Sequence, residues 1–215
     1  MRPMAKNDPF IHTRSVYSVC YVVSFCSAPR NVLDGLEVTS MEGVLWYNLH
    51  SRVYTTSLWS LMSAIEIVRA QPHDAATLKL IAVAAKSHWG YPEHLIAEWA
   101  ASPIISPMDI AHSPVYVAYN AQQAIGWYRL LIDRSPAILE DLWVMPSWIG
   151  RGIGRALFEH AIAYCHAHGV TQMELDADPN AVGFYLRMGG RVIGESISEW
   201  QRLVPRIRFD LAPLR

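Results

Sequence analysis

Three glycines at alternate positions constrain the fold of this chain more than any other feature. In "PSWIGRGIGRALFEH" (146–160), Gly150, Gly152 and Gly154 lie between two different patterns. The residues before them, "AILEDLWVM" (137–145), have the β-branched and aromatic character of a strand, and those after them repeat apolar residues at helical spacing. The glycines therefore predict a turn that leads from a strand directly into a helix.

The start of such a helix is suited to binding an anion. Its first N–H groups have no partner within the helix, and the helix dipole adds partial positive charge. Glycine lacks a Cβ, so a phosphate can approach the main chain, and Arg151 and Arg155 can add charge. The spacing matches neither the dinucleotide motif nor the P-loop. A pyrophosphate site is predicted, and a turn with glycines kept for tight packing is the alternative.

From Met62 onward, strand and helix patterns alternate as in an α+β domain. The strands of the centre form an antiparallel meander, and Asp74 is predicted to cap the first helix. The predicted strands are 65–69, 114–119, 124–133, 137–145, 171–177, 191–195 and 202–211, and the predicted helices are 75–86, 93–101, 150–168 and 180–188.

Residues 1–61 show no helix or strand order that would bury their apolar patches. We interpret them as an N-terminal extension, poorly ordered or upstream of a true start at Met62, and we assign residues 62–215 to one domain. A signal peptide is the alternative, with Lys6 and Arg14 before the apolar residues 16–25.

Composition excludes several classes of function. The formal net charge is −1, without the basic excess of a nucleic-acid-binding protein. Cys20, Cys26 and Cys165 have no disulfide or CxxC spacing, which favours a reducing, cytoplasmic compartment. The nine histidines have no metal-binding spacing, so no metal is expected. No apolar run reaches the roughly 18 residues of a membrane span.

Two motifs in order, "LEDLWVMPSWIGRGIGRALFEHA" and "MELDADPNAVGFYLRMGG", resemble the GNAT-type N-acetyltransferase superfamily. The similarity covers residues 65–214 and is greatest to a set of small bacterial members. It implies a strongly twisted, mostly antiparallel mixed sheet flanked by helices, in which the fourth and fifth strands splay apart. The pantetheine arm of acetyl-CoA, the cosubstrate, enters that gap in the family.

The resemblance also implies cofactor contacts. Leu142, Trp143 and Val144 match the strand whose backbone pairs with pantetheine, Ile149, Gly150, Arg151, Gly152, Ile153, Gly154 and Arg155 match the pyrophosphate loop, and Asn180 matches a cofactor-side asparagine. Two positions depart from the signature. Ile149 stands where the family has Gln or Arg, and Tyr185 follows Asn180 by five positions where many members have seven.

Acetyl transfer to an amine needs a donor to the carbonyl oxygen, a base and an acid. Backbone N–H groups at 142–144 are the expected donor, and Tyr185 matches the tyrosine that protonates the leaving thiolate in many members. Glu140, predicted on the strand face of Leu142 and Val144, and Asp176, on the neighbouring strand, are the candidate bases. A solvated carboxylate is the alternative for Glu140.

The acceptor side is predicted from "SHWGYPEHLIAEW" (87–99), because this segment walls the acceptor in the family. Trp89 and Tyr91 are the candidate acceptor contacts, although packing of a helix on the sheet also explains Trp89 and Trp99. Aromatic rings with nearby carboxylates favour a cationic acceptor. The carboxylates in question are Glu140, Glu174, Asp176 and Asp178.

The sequence thus predicts an acyltransferase that moves an acetyl group from acetyl-CoA to a primary amine of a small molecule or peptide by direct attack in a ternary complex. It predicts no nucleic-acid or membrane partner, and a homodimer is one assembly open to it. One alternative is a non-catalytic acyl-CoA-binding sensor or partner-binding module. The other is a thiol enzyme using Cys165, which the position of Cys165 on the apolar helix stripe disfavours.

Overall fold

The structure is a computed structural model that describes residues 39–41, 44–49, 52–57 and 65–211. The strands of this part of the chain are β1 Thr39–Met41, β2 Val44–Leu49, β3 Arg52–Ser57, β4 Ile65–Arg69, β5 Val115–Asn120, β6 Gln123–Leu131, β7 Ala137–Val144, β8 Gln172–Asp176, β9 Arg191–Ile197 and β10 Leu203–Asp210. Its α-helices are α1 Ala75–Ser87, α2 Glu93–Ala101, α3 Pro107–His112, α4 Ile153–Ala167 and α5 Val182–Arg187. Single 3₁₀ turns span Pro72–Asp74 and Pro146–Trp148.

Seven strands form the main sheet, in the order β4-β5-β6-β7-β8-β10-β9. Every neighbouring pair is antiparallel except β7 and β8, which run parallel. β5 to β7 form the meander predicted from the sequence, and β4 pairs with β5 at its outer edge. The expected mixed, mostly antiparallel sheet flanked by helices is confirmed.

Helix α4 follows the predicted periodicity closely. Its buried residues recur at positions that share one face: Ile153, Gly154, Leu157, Phe158, Ala161 and Cys165. The chain leaves the helix at Gly169, whose φ of +69° is the left-handed conformation that glycine adopts most readily. This apolar face places the helix against the sheet.

Two hydrophobic clusters cover opposite faces of the sheet. The first includes Leu142 and Val144 of β7 and is covered by α4 and α5. The second includes Trp143 of the same strand and is covered by α1 and α3. Trp127 ties α1 to the second face by donating its indole N–H to the carbonyl oxygen of Leu78 at 2.8 Å. Alternate residues of β7 therefore belong to different cores, as strand geometry requires.

Two local predictions need correction. Helix α3 was not expected, although its start carries a recognisable signal: Ser106 accepts from the N–H of Asp109 at 3.1 Å, Asp109 accepts from the N–H of Ser106 at 2.8 Å, and Pro107 follows the cap. Asp74 does not cap α1 with its side chain. Its carboxylate instead accepts from the N–H of Gln71 at 2.7 Å, because it closes the preceding 3₁₀ turn.

The segment predicted to lack strand order contains a small antiparallel sheet of its own, with the order β1-β2-β3. β2 and β3 pair over six positions, from Val44 opposite Ser57 to Leu49 opposite Arg52. The absence of strands expected over residues 1–61 was therefore wrong for residues 39–41, 44–49 and 52–57. The domain boundary at Met62 stays a prediction.

Candidate active site

The main sheet opens between β7 and β8. These parallel strands pair only at their first residues, Ala137 with Met173 and Ile138 with Glu174. Beyond those pairs the strands diverge, so a gap opens toward their carboxyl ends. This is the splay between the fourth and fifth strands of the main sheet that the sequence predicted.

The edge of β7 along this gap carries backbone donors. The N–H of Met145, just beyond the strand, donates to the carbonyl oxygen of Ile125 in β6 at 2.8 Å, and Trp143 lies opposite Trp127. Because backbone groups alternate between the two edges of a strand, the N–H groups of Leu142 and Val144 point toward the gap, whereas that of Trp143 points to β6. The side chains of all three residues are buried in the core. Only their backbones can contact a ligand in the gap.

The glycine turn follows the open end of β7. Gly150 and Gly152 have φ values of +78° and +82°, and Gly152 is the N-cap of α4. The first bond of the helix runs from the N–H of Ala156 to the carbonyl oxygen of Gly152 at 3.0 Å. The N–H groups of Ile153, Gly154 and Arg155 therefore precede the helical ladder.

The side chains of this turn are arranged unequally. Arg151 is exposed, with its guanidinium 5.0 Å from the centre of the Trp148 ring. Arg155 donates to Glu159 at 2.8 Å, so its charge is already paired on the surface of α4. Ile149 packs against the first hydrophobic cluster. A charged ligand at this turn would therefore meet main-chain N–H groups and, among these side chains, chiefly Arg151.

The turn after β8 lies opposite, across the gap. Asp178 is 2% exposed and accepts from the N–H of Asn180 at 2.8 Å. Asn180 itself is exposed. Tyr185, on α5, is fully buried, with its ring 5.9 Å from that of Phe158 and 5.1 Å from that of Phe184. In many family members the asparagine precedes the tyrosine by seven positions. In this chain the residue seven positions before Tyr185 is Asp178, and Asn180 is only five positions before it.

A cluster of aromatic and charged side chains lies on the α1 side of the gap. Lys86, which is 0% exposed, forms an ion pair with Glu199. Its ammonium lies 4.0 Å from the centre of the Trp99 ring and 4.2 Å from that of Trp200. Burial lowers the pKa of Lys86, and the Glu199 carboxylate opposes that shift. We call this group, with Tyr91 and Asp178, the acceptor-side cluster, because it includes residues of the segment that the sequence analysis predicted to contact an acceptor.

Tyr91 connects the cluster to β8. Its hydroxyl donates to the Asp178 carboxylate, and its ring packs edge to face on Trp200 with centroids 4.8 Å apart. The guanidinium of Arg202 lies 5.3 Å from the centre of the Tyr91 ring. Trp89 is half-buried against the second core, next to His88, so packing accounts for its position. Of the two predicted acceptor contacts, Trp89 and Tyr91, Tyr91 is the one that contacts the Asp178 carboxylate of this cluster.

The predicted position of Glu140 is wrong. The register of β7 shifts here: Arg129 lies opposite Asp141, but the next residue, Leu130, lies opposite Leu139. This β-bulge interrupts the alternation on which the prediction depended. Glu140 therefore reaches the same guanidinium as Asp141: Arg129 lies 3.7 Å from Glu140 and donates to Asp141 at 2.7 Å.

The acidic face predicted for β8 is covered by arginines of β10. Arg206 lies opposite Asp176 and contacts it through two hydrogen bonds, of 2.8 and 3.0 Å. Arg208 lies opposite Glu174 and donates to it at 2.7 Å. Both carboxylates are buried. The arginines therefore neutralise the negative charge that the sequence analysis expected to attract a cationic acceptor. Asp176 is thus poorly placed to accept a proton from a ligand.

Other features of the described residues limit the chemistry further. Cys165 is buried in the first cluster, and burial raises the pKa of its thiol to about 11, so little thiolate forms near neutral pH. Within residues 65–211, no group of three or more His, Cys, Asp or Glu side chains is arranged to hold a metal ion. No helix in the described part of the chain is long and apolar enough to cross a membrane.

Sequence reasoning missed Lys86, Glu199 and Trp200 as parts of one cluster. Lys86 and Glu199 are 113 residues apart, and Tyr91 and Asp178 are 87 apart, so no local pattern connects them. The sequence offered one signal of this cluster: Lys86 lies at the end of an otherwise apolar stripe on helix α1.

Comparisons with known proteins agree with this geometry. A sequence profile described as the acetyltransferase (GNAT) family matches residues 80–190. The peptidyl-lysine N-acetyltransferase YjaB of Salmonella typhimurium is 33% identical over 87 residues, which are 40% of this chain and 57% of that protein. The chain thus matches little more than half of this relative's length.

Solved structures share the fold. The PaiA N-acetyltransferase of Thermoplasma acidophilum, solved in complex with coenzyme A, superposes with a TM-score of 0.60 at 22% identity and covers 68% of this chain and 99% of that one. A GCN5-related N-acetyltransferase of Rhodopseudomonas palustris has a TM-score of 0.61 at 21% identity and covers 70% and 98%. Because the family profile spans more than half of the 215 residues, the chain belongs to the acetyltransferase (GNAT) family.

Proposed function

We propose that this protein transfers the acetyl group of acetyl-CoA to a primary amine by direct attack within a ternary complex. One observation carries the proposal: the gap between β7 and β8, edged by the N–H groups of Leu142 and Val144, ends beside the glycine turn that starts α4. A carbonyl-binding edge and an anion-binding turn are thus adjacent, as a thioester joined to a pyrophosphate requires.

The glycine turn is suited to the pyrophosphate. Among the described residues, no heavy atom outside Gly152 and its chain neighbours lies within 4 Å of the place where a Cβ on Gly152 would stand, so the main chain is open there. The N–H groups at the start of α4 would donate to the phosphate oxygens, with help from the helix dipole and from Arg151. The coenzyme A complex of the PaiA neighbour supports this ligand. Asn180, exposed beyond β8, completes the cofactor side of the proposed site.

The chemistry needs only a few groups. The N–H groups of Leu142 and Val144 are placed to stabilise the charge that develops on the thioester oxygen. Tyr185, in the second half of α5, is our candidate for the acid that protonates the departing thiolate, because it matches the tyrosine of the family motif.

The acceptor is proposed to be a cation that loses a proton before it attacks. Among the charged side chains that contact or interact electrostatically with Lys86, Arg129 and Tyr91, carboxylates outnumber cations, which favours an ammonium group. The carboxylates are Asp109, Glu140, Asp141, Asp178 and Glu199, and the cations are Lys86, Arg129 and Arg202. The name of the Salmonella relative places peptidyl lysine among the acceptors to test.

Release of free thiol from acetyl-CoA, measured across alkylamines, polyamines, amino acids and lysine peptides, tests this function. We expect turnover with at least one cationic amine and little with acidic acceptors. Acetyl-CoA binding with no thiol release for any amine would favour the non-catalytic binding module instead, a role in line with the apolar Ile149 at the signature position.

A further inference from the structure

The reaction needs a group that takes a proton from the acceptor ammonium, and both carboxylates predicted for this role are engaged elsewhere. Asp176 is held by two hydrogen bonds from Arg206. Glu140 lies with Asp141 around the buried Arg129. A carboxylate paired with a guanidinium is stabilised in its charged form and is a weaker base.

Asp178 occupies a better position. It lies four residues beyond Glu174, and Leu142 lies four residues beyond Ile138, the partner of Glu174. Asp178 and the backbone N–H of Leu142 are therefore both at the open end of the gap, on opposite sides of it. The carboxylate is almost completely buried, and one of its oxygens accepts from the N–H of Asn180 at 2.8 Å.

Tyr91 connects this buried carboxylate to the acceptor side. Its hydroxyl donates to the second oxygen of Asp178, and it reaches there from the loop between α1 and α2. Tyr91 is half-buried, so part of its side chain is exposed to solvent while Asp178 stays covered. A phenol hydrogen-bonded to a carboxylate can accept one proton and pass on another in the same step.

We propose that Tyr91 and Asp178 form the proton relay for the acceptor amine, an inference that rests on the proposed function. The Tyr91 oxygen takes one proton from the acceptor ammonium while the proton of Tyr91 passes to Asp178. The neutral amine then uses its lone pair to form the C–N bond, and the C–S electron pair leaves with the sulfur. Tyr185 protonates the departing thiolate and regains its proton as the new amide nitrogen loses the second amine proton, and Asp178 returns its proton to solvent after the product departs.

Charged groups of several elements surround the relay. Lys86 on α1 interacts electrostatically with Asp178 and with Asp141 of β7, and it is ion-paired with Glu199 from the loop between β9 and β10. Arg202 on the same loop lies over the Tyr91 ring. The hydrogen bonds that Asp178 accepts come from Tyr91 and Asn180, so among the described residues its oxygens are not held by a guanidinium as those of Asp176 are.

Asp178→Asn tests the relay, because asparagine keeps the size of the side chain and its oxygen can still accept from the N–H of Asn180, while its amide nitrogen can only donate to the Tyr91 oxygen and cannot take a proton. We expect acetyl-CoA affinity, measured by calorimetry, to change less than about threefold. We expect kcat/KM for the best amine at pH 7 to fall by roughly 10²-fold. The deficit should shrink as pH approaches 10, where more of the amine is neutral in solution.

Tyr91→Phe provides a second variant that keeps the ring. It should lower kcat/KM by at least about tenfold, and the double variant should be no slower than Asp178→Asn alone, because the two residues act as one unit. Glu174→Gln is the matched control. It removes another buried carboxylate of the same segment, and it should leave the pH profile unchanged.

The outcomes separate the two proposals. An active wild type with a fully active Asp178→Asn variant overturns the relay and leaves the proposed function standing. A deficit in both variants that stays constant from pH 7 to pH 10 also overturns the relay, because a structural role would not respond to the supply of neutral amine. A wild type that acetylates no amine overturns both.

Discussion

The proposed cofactor side and the proposed acceptor side of the gap are built by different means. On the cofactor side, the proposed ligand contacts are main-chain N–H groups of β7 and of the first turn of α4, and the turn between them is exposed. On the acceptor side, side chains from α1, the α1–α2 loop, the end of β8 and the β9–β10 loop contact one another in a largely buried cluster.

This difference determines how each side responds to change. A backbone site depends on the conformation of a few consecutive residues, so one substitution that alters that conformation should disable it. A side-chain site depends on pairs of groups whose charges or hydrogen bonds compensate one another. Removing one partner should therefore change the free energy of unfolding and the reaction with the acceptor, while cofactor binding remains. The predictions below test this contrast.

The largest effect is expected for Gly152→Val, at a residue with a φ of +82°. A β-branched residue cannot hold this conformation without strain, and its side chain would fill the space left for phosphate. Loss of two charge-assisted hydrogen bonds, each worth about 1.5–3 kcal/mol, raises the Kd for acetyl-CoA by roughly 10²–10⁴-fold. Titration calorimetry measures this change.

Gly169→Val is the matched control, since Gly169 has a φ of +69° at the opposite end of the same helix, also with open space around it. It should cost similar stability and leave the affinity unchanged. Equal losses of affinity in the two variants would mean that the first glycine matters for folding rather than for the phosphate.

Tyr185→Phe tests the proposed acid, which would act where the acetyl group passes from the cofactor to the acceptor. The ring packing on Phe158 and Phe184 should survive, so folding and acetyl-CoA affinity should persist. The kcat should fall by about 10²-fold, the lower part of the range for a positioned acid. Steady-state thiol release at several pH values is the measurement. The loss should shrink at high pH, where the thiolate leaves unaided, and an unchanged kcat would contradict the assignment.

Lys86→Met examines the acceptor side alone. The substitution leaves Glu199 without its ammonium partner in a partly buried position, which we expect to lower the free energy of unfolding by about 2 kcal/mol. The double variant Lys86→Met/Glu199→Gln removes the stranded charge as well and should recover most of that loss. Urea denaturation of both variants provides the values. A change in acetyl-CoA affinity would show that the two sides are not separate.

Arg151→Ala should have the smallest effect. Its guanidinium is exposed, so its attraction to a phosphate is screened by solvent and salt. We expect the Kd for acetyl-CoA to rise by about threefold in dilute buffer, and the difference to disappear near 0.5 M salt. A salt-independent loss of a hundredfold would assign the anion site to this side chain instead of to the main chain.

Much of the fold could be predicted from local patterns. Helix α4, from its glycine start to Gly169, is encoded by a periodic apolar stripe and by residues with special backbone freedom. Helix α3 was also encoded locally, by the Ser106 and Asp109 capping box, and was overlooked. Such signals act within a few residues of one another, which is why sequence reasoning can find them.

The candidate bases could not be predicted in the same way. Alternation along β7 placed Glu140 correctly only as long as the strand was regular, and the bulge at that residue redirected it to Arg129. The sequence shows that Asp176 carries a negative charge. Its neutralisation by Arg206, however, depends on β10 lying next to β8. Both errors come from pairings between segments that are distant in the chain.

The sequence by itself determined the α+β class, the splayed pair of strands through its resemblance, and the glycine turn, because these depend on local conformation and on motifs of consecutive residues. Only the tertiary structure decided which charges are neutralised and which face the gap. Tyr91 meets Asp178, and Lys86 meets Glu199, through the order of strands in the sheet and the packing of α1 on it. Electrostatic effects depend on distance in space, and distance along the chain does not predict it.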